Sequence, residues 1–305
     1  MNEKEAAAAA ASGGEASGSG TLPSPYRPPD DAAVGDLVSS LNRRRLYREV
    51  TLALRSGLRD ANADFSFLRT RGLRNLLKFL RSIAGSDESI RLFRHSQTIP
   101  ELQVIPVLFQ NTLRQPKNNP VMTLDHIFGV EPMKITSPAT DSEVALALRV
   151  LEGCCLLYSR SAALAYKFKA IKVLVDILSS RGILEQGACL DALIPLMLES
   201  PLNQMEFEEC HGIEKIAELI KDEQGDENIR LKCGEFLLLL IGHVNGRENS
   251  PLANIHEDIR QLLGEKCASL IWAASQFGST LDTEQRMTAL HIQARRVVES
   301  MELSN

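Results

Sequence analysis

The fold is decided by two stretches that lie 42 positions apart, Ala145-Leu-Ala-Leu-Arg-Val-Leu-Glu-Gly-Cys-Cys-Leu-Leu157 and Gly187-Ala-Cys-Leu-Asp-Ala-Leu-Ile-Pro-Leu-Met-Leu-Glu199. Between residues 143 and 243, a shift of 42 positions places apolar residues on apolar residues. The aligned pairs are Leu148 and Leu190, Leu151 and Leu193, Leu156 and Leu198, Ile171 and Ile213, Leu174 and Ile216, and Leu178 and Ile220. Unrelated helices would share a periodicity without a fixed offset, so the offset indicates an internal repeat.

A period of about 40 to 47 residues is typical of HEAT and armadillo repeats, which contain two or three helices each. The predicted unit has a long helix, a linker and a second helix. The predicted helices are Val144–Tyr158 and Lys169–Ser179, then Gly187–Glu199 and Ile213–Lys221, with a third copy from Asn228 and an earlier one at Arg71–Leu80. The predicted fold is therefore all-α, an armadillo/HEAT-like α-solenoid of about four to five helical repeats.

Composition divides the chain into a tail and a folded region. Residues 1–33 are rich in Ala, Gly, Ser and Pro and bury too little apolar surface to fold, so we expect a disordered low-complexity tail. Residues 34–305 form the predicted solenoid, with a Pro-rich loop at 115–141 and C-terminal capping helices at 255–303, the first spanning 255–277. Two Ser-Pro pairs, at Ser24 and Ser137, are candidate phosphosites.

Charge and cysteine usage limit the class of protein. The net charge of −5 argues against general nucleic-acid binding, although residues 41–114 carry 14 Lys or Arg against six Asp or Glu. Cysteines without a Cys-x-x-Cys pair are typical of a reducing compartment. Neither a signal peptide nor an apolar run of about 20 residues is evident, so we expect a soluble, intracellular protein.

One segment matches the bare formula of cysteine-dependent phosphatases, since Cys154 precedes Arg160 by six positions. That chemistry needs a thiolate and a loop of amides that surrounds phosphate. Leu156 is a predicted core position paired with Leu198, so the segment is predicted to be helical and not catalytic. The remaining candidate ligands, Cys189, Cys210, His211, Cys233 and His243, lack the paired spacing of a zinc site. We therefore expect no enzyme activity, metal or cofactor.

A basic surface is the predicted partner-binding site. We expect the second helix of each repeat to line the concave surface, which repeat proteins use for binding. The candidate residues on these helices are Arg71, Arg74, Lys78, Arg81, Lys169 and Lys172. An acidic protein segment would be steered to them by charge.

Several short motifs resemble one family. The sequence is similar to the cell division control protein 14 family, the septation initiation network (SIN) component, and not to the dual-specificity phosphatase of the same name. The motifs are Asp191-Ala-Leu, Glu199-Ser-Pro-Leu-Asn-Gln204, Phe207-Glu-Glu-Cys-His-Gly212, Glu214-Lys-Ile and Ile229-Arg-Leu-Lys-Cys-Gly-Glu-Phe-Leu237, with a following Leu238. The resemblance covers about residues 40–245.

The resemblance implies a non-catalytic adaptor or regulatory subunit. Such a protein binds and supports a germinal-centre-type (sterile-20-like) protein kinase during septation and cytokinesis. It implies a cytoplasmic location, with the spindle pole, the division site and the nucleus left open. Two alternatives remain: a general armadillo-type scaffold unrelated to cytokinesis, or a phosphate- or nucleic-acid-binding protein that uses the Arg-rich segment 41–94.

Overall fold

The computed structural model describes residues 31–114, 138–198, 200–244, 251–252, 254–275 and 283–302. Within these residues every regular element is helical, with fourteen α-helices and a 3-10 helix at Pro100–Leu102. The all-α prediction is therefore confirmed for the part of the chain that is described. Ser24 and Ser137, and most of the predicted tail and Pro-rich loop, lie outside these residues.

The α-helices are numbered in chain order. They are α1 (Asp31–Ala61), α2 (Ser66–Ile83), α3 (Asp87–Ser96), α4 (Val104–Gln110), α5 (Asp141–Leu157), α6 (Arg160–Tyr166), α7 (Ala170–Ser180), α8 (Ile183–Met197), α9 (Pro201–Glu209), α10 (Gly212–Lys221), α11 (Glu227–Val244), α12 (Ile255–Leu263), α13 (Glu265–Ser275) and α14 (Thr283–Glu302).

The chain divides into two compact units. The first unit, residues 1–44, is described only from residue 31, in the first turns of α1, where four apolar side chains are exposed: Val34, Leu37, Val38 and Leu41. The second unit, residues 45–305, contains the rest of α1, the helices α2 to α14 and the apolar core.

Four long helices, α2, α5, α8 and α11, pack side by side in that order, and we call them the long-helix row. Neighbouring helices in this row run parallel. At one end of α2 and α5, Arg69 contacts Glu143, and near the other end Leu80 packs on Gly153. Between α8 and α11, Gly187 faces Ile229, and Asp191 pairs with Lys232 further along. Parallel neighbours require return helices, which the shorter helices supply.

The shorter helices form a second row. Helices α7 and α10 contact each other, α10 continues to α12, and the short helices α6 and α9 also pack together. The order short helix, medium helix, long helix therefore occurs twice, as α6–α7–α8 and as α9–α10–α11. In each of these two groups of three, the long helix comes last.

Backbone geometry repeats with the 42-residue period. Lys169 and His211 lie 42 positions apart, and each precedes the first residue of its helix, α7 or α10. Both adopt left-handed backbone angles, with φ of 56° and 55°, and they are the non-glycine residues with positive φ in the described part of the chain. This conformation costs free energy in L-residues and is uncommon. Its recurrence at the same position of the repeat supports the sequence offset independently of apolar pattern.

A buried ion pair joins α2 to α5. The guanidinium of Arg69 donates to both carboxylate oxygens of Glu143, at 3.2 and 3.3 Å, and both side chains are almost wholly buried. Arg69 also donates to the backbone carbonyls of Asp64 and Pro138. Glu143 in turn completes a capping box with Thr140 at the start of α5. One contact network therefore fixes the start of α5 against the start of α2.

The C-terminal helices differ from the prediction. The expected single helix over 255–277 is wrong, because Gly264 separates α12 from α13 with a φ of 85°, which favours glycine. Helix α14 packs on α11 but runs antiparallel to it, since Glu227 faces Arg295 while Glu235 faces His291. The parallel order of the long-helix row thus ends at α11.

A second buried carboxyl group, that of Glu185, lies at the start of α8. Its side chain is buried, and its Oε1 has no hydrogen-bond partner. Burial raises the pKa of Glu185, and the neighbouring carboxyl group of Asp141 raises it further, while Arg181 opposes the shift. The folded protein therefore binds a proton at Glu185 more tightly than the unfolded chain does.

We expect Glu185→Gln to raise the melting temperature at pH 7.5. A carboxyl group with a raised pKa contributes stability at low pH that is lost as the pH rises through its folded value, and Gln retains the neutral form at every pH. The gain should shrink as the pH falls below the ordinary Glu range. Melting curves at pH 4 and pH 7.5, with the exposed Glu208→Gln as control, test this expectation. An equal change in melting temperature at both pH values would contradict it.

Candidate protein-docking surface

The phosphatase-like segment begins in the core and ends at the surface. Cys154 lies on α5 and is fully buried, and burial raises the pKa of its thiol well above the usual value. The segment from Cys154 to Leu157 is helical, as predicted, and Arg160 lies on the next helix. Cys154 is therefore a packing residue without the lowered pKa that a nucleophilic cysteine requires. The expected core role of Leu156 is wrong, because its side chain is 64% exposed.

The remaining candidate ligands do not form a metal site. Among the described residues, no group of three or more His, Cys, Asp or Glu side chains could hold a metal ion. Of the cysteines, Cys189 and Cys233 are buried and Cys210 is half-buried. In the same residues, no helix is both long enough and apolar enough to cross a membrane.

The predicted basic residues of α2 are exposed, but they do not behave alike. Arg71 donates to the carboxylate of Asp60 at 2.8 Å, and this bond is the main cause that lowers the pKa of Asp60. Arg74, Lys78 and Arg81 follow at positions i, i+4 and i+7 of one helix face, and none forms an ion pair within the described residues. Three cations of α2 are therefore available to a partner, while Arg71 is engaged in the fold.

The other two predicted residues lie in a different row. Lys169 and Lys172 belong to the start of α7, which packs on α10, whereas α2 packs on α5. Lys169 lies 3.6 Å from the buried carboxylate of Glu206 and 5.0 Å from the ring centre of Tyr166. The structure therefore divides the six predicted basic residues into two groups and does not bring them onto one helix row.

The wider Arg-rich segment is also partly engaged. Within residues 45–94, five arginines form hydrogen bonds or ion pairs: Arg45, Arg59, Arg69, Arg71 and Arg94. Such contacts reduce the charge that this segment could offer to a phosphate backbone.

A cleft of about 350 Å³ opens on the long-helix row between α2, α5 and α8. Its apolar lining includes Leu77 from α2 and Leu156 from α5, and Gly153 contributes no side chain between them. Its polar lining consists of four charged residues: Arg81, Arg149, Glu152 and Asp191. The cleft thus combines exposed apolar surface with charges of both signs.

The charges of the cleft are only partly paired. Asp191 of α8 forms an ion pair with Lys232 of α11. Burial raises the pKa of Glu152, Asp191 raises it further, and Lys232, Arg149 and Arg81 oppose the shift. Neither arginine forms an ion pair within the described residues, although both lie near enough to Glu152 to lower its pKa. Together with Arg74 and Lys78 they give the α2–α5 side of the cleft more positive than negative charge.

Sequence reasoning missed Arg149 and Leu156 as surface residues. A signal was present, because Arg149, Glu152 and Leu156 recur at i, i+3 and i+7 of α5, so they share one face. That face carries two of the four charged residues of α5, the other two being Asp141 and Glu143 in its first turn. The 42-residue alignment masked it by pairing Leu156 with Leu198.

The motifs that carry the family resemblance connect neighbouring helices. The side-chain amide of Asn203 donates to the carbonyl of Leu196 at 2.7 Å, and that of Gln204 donates to Met197 at 2.8 Å. These bonds satisfy carbonyls in the last turn of α8. Arg230 donates to the carbonyl of Ile220 at 3.0 Å, near the end of α10. These bonds therefore hold α9 against α8 and α11 against α10.

Comparison with known families gives the identity. The family described as "Cell division control protein 14, SIN component" matches residues 117–271, about half of the chain. The chain belongs to this family. The resemblance drawn from the sequence motifs is thereby confirmed, and the family is a cell-division component of the septation initiation network, distinct from the phosphatase.

Other comparisons add little. No curated protein matches the chain. Among solved structures, the chain is similar to one whose title describes the crystal structure of an engineered protein, at 11% sequence identity with a TM-score of 0.42. That similarity covers 82% of this chain and 96% of the other.

Proposed function

We propose that this protein is a non-catalytic adaptor of septation signalling that binds and supports a germinal-centre-type, sterile-20-like protein kinase. The observation that carries the proposal is the cleft on the long-helix row, with exposed cations on α2 and α5 that their own fold leaves without ion pairs. Membership of the family supports a role in septation signalling. The cleft and its exposed cations supply the surface that would bind the kinase. We place the protein in the cytoplasm, at spindle-pole or division-site structures.

The repeated helix order supports an armadillo-like arrangement. Helices α6, α7 and α8 have 7, 11 and 15 residues, and α9, α10 and α11 have 9, 10 and 18 residues. In repeat proteins each unit contacts its neighbours, and equivalent helices build one extended binding surface. With this phasing, the long-helix row is that surface. This phasing assigns α2 and α5 to the docking surface and leaves Lys169 and Lys172 on another row.

Charge reversal on α2 tests the adaptor function. We expect the triple variant Arg74→Glu, Lys78→Glu and Arg81→Glu to fold normally, because these side chains are exposed and the core residues Leu73, Leu76 and Leu80 are unchanged. Capture of sterile-20-like kinases from an extract of dividing cells should fall at least about tenfold, and wild-type capture should weaken as salt rises. Quantitative mass spectrometry of the captured proteins measures both effects.

A matched control reverses three other exposed cations, Arg114, Arg160 and Lys167. This control should capture the kinase as the wild type does. The proposal fails if no kinase of this class is captured, or if the α2 variant captures it at wild-type level across the salt series. Kinase-independent hydrolysis of a phosphopeptide by the purified chain would contradict the non-catalytic assignment.

A further inference from the structure

The strongest unassigned feature is the exposed Leu156 in the α2–α5–α8 cleft. Its side chain is 64% exposed, whereas the other leucines of its helix are buried or half-buried. Leu77 and Leu157 line the same cleft and are half-buried. Gly153 has no side chain, and Leu80 of α2 packs closely against it in the lining of the cleft. An apolar side chain from a partner would remove all of this surface from water, at roughly 25 cal/mol per Å².

The positive charges lie beside this apolar surface. Arg81 and Arg149 line the cleft from α2 and α5, and Lys78 lies three residues before Arg81 on an exposed position. Further along the long-helix row, Asp191 of α8 is already paired with Lys232 of α11. The α2–α5 part of the cleft therefore has guanidinium groups that can donate hydrogen bonds to carboxylates of a partner. Arginine is well suited to such pairing because its donors match both oxygens of a carboxylate.

The carboxylates of the cleft limit what can occupy it. Asp191 of α8 and Glu152, which lies between Arg149 and Leu156 on the same face of α5, both line the cleft. A uniformly acidic segment, or a phosphate group with two negative charges, would meet repulsion from both. A segment with one or two carboxylates beside an apolar side chain would pair with the arginines and cover Leu156, with less repulsion from Glu152 and Asp191 than a uniformly acidic segment.

We propose that the cleft binds a short acidic–apolar segment of a partner protein, with an apolar side chain packed on Leu156 and Leu77 and its carboxylates on Arg81 and Arg149. This inference deepens the proposed adaptor function, since it names the kind of segment through which a kinase would be captured. Peptide binding to the cleft can be tested without a kinase.

Selection from a random library of 12-residue peptides tests the cleft directly. The full chain is the bait, and the double variant Arg149→Glu, Leu156→Ser is used for counter-selection. We expect selected peptides to be enriched in Asp or Glu within three residues of Leu, Ile, Phe or Met. The most enriched peptide, synthesised with a fluorescent label, should bind the double variant at least about tenfold more weakly than the wild type. Each single variant should show part of that loss.

Matched controls separate the cleft from general surface effects. Leu52→Ser removes a leucine that is 65% exposed on α1, and Arg160→Glu reverses an exposed arginine on α6. Both should bind the selected peptide as the wild type does. Replacing the peptide's acidic residues with Lys, or its apolar residue with Ser, should abolish binding.

The inference is overturned if no peptide is enriched, if enriched peptides lack the acidic–apolar pattern, or if the double variant binds them equally. Tighter binding of a peptide in which phosphoserine replaces the acidic residues would also overturn it. These outcomes are distinct from failure of the adaptor proposal. If the Arg149→Glu, Leu156→Ser variant still captures the kinase, the kinase contacts another surface of the adaptor. If the chain binds the peptide but captures no kinase, the cleft proposal stands and the kinase proposal fails.

Discussion

Arg69→Met is expected to destabilise the folded protein by about 3–5 kcal/mol, because it leaves the carboxylate of Glu143 buried without its counter-ion. Both side chains are almost wholly buried, and the guanidinium also satisfies the carbonyls of Asp64 and Pro138. Urea denaturation followed by circular dichroism measures the change in the free energy of unfolding. An uncompensated buried charge is among the costlier single defects that a core can contain.

The control for this prediction is an exposed ion pair of similar geometry. Arg45 and Glu49 lie one helical turn apart on α1 at 2.9 Å, with both side chains largely exposed. Arg45→Met should therefore cost no more than about 0.5 kcal/mol. The double variant Arg69→Met, Glu143→Gln should lose less than the sum of its single changes, since the remaining charge is removed. If Arg69→Met costs no more than Arg45→Met, the pair does not have the buried environment described.

Local pattern predicted most of the helices in the repeat region. The predicted helix Ile213–Lys221 corresponds to α10 (Gly212–Lys221), and Lys169–Ser179 corresponds to α7 (Ala170–Ser180). These predictions succeeded because an amphipathic helix requires apolar residues at fixed short spacing. The solenoid arrangement and its number of repeats remain predictions, although the matching left-handed residues Lys169 and His211 support the period.

Contacts distant in sequence could not be predicted in the same way. Arg69 and Glu143 are 74 positions apart, and nothing in the local pattern of either helix indicates that they meet. The same applies to the cleft, where Arg81 and Asp191 line one opening from α2 and α8. Which charges lie together depends on which helices are neighbours, and periodicity does not report that.

Helix α2 shows that a short apolar pattern can identify a helix without identifying the helices against which it packs. Residues Arg71–Leu80 align with His211–Ile220 through a small residue followed by apolar positions, and this alignment predicts equivalent roles for α2 and α10. The structure packs α2 on α5 instead, in the long-helix row. Any amphipathic helix that starts close to a neighbour shares this short pattern. The pattern therefore identifies a helix without identifying its row.

The variants Leu193→Ala and Leu156→Ala distinguish the core positions predicted by the 42-residue alignment from those that the structure buries. Both leucines are apolar positions of the 42-residue alignment, so sequence alone gives them equal core roles. The structure buries Leu193 completely and leaves Leu156 64% exposed. We therefore expect Leu193→Ala to cost about 2–5 kcal/mol, which includes the cavity that truncation leaves. Leu156→Ala should change the free energy of unfolding by less than about 0.5 kcal/mol, as exposed substitutions usually do. Denaturant unfolding of both variants measures the difference. Equal costs would mean that α5 is rotated in solution, with Leu156 in the core, and the docking cleft would then lose its apolar anchor.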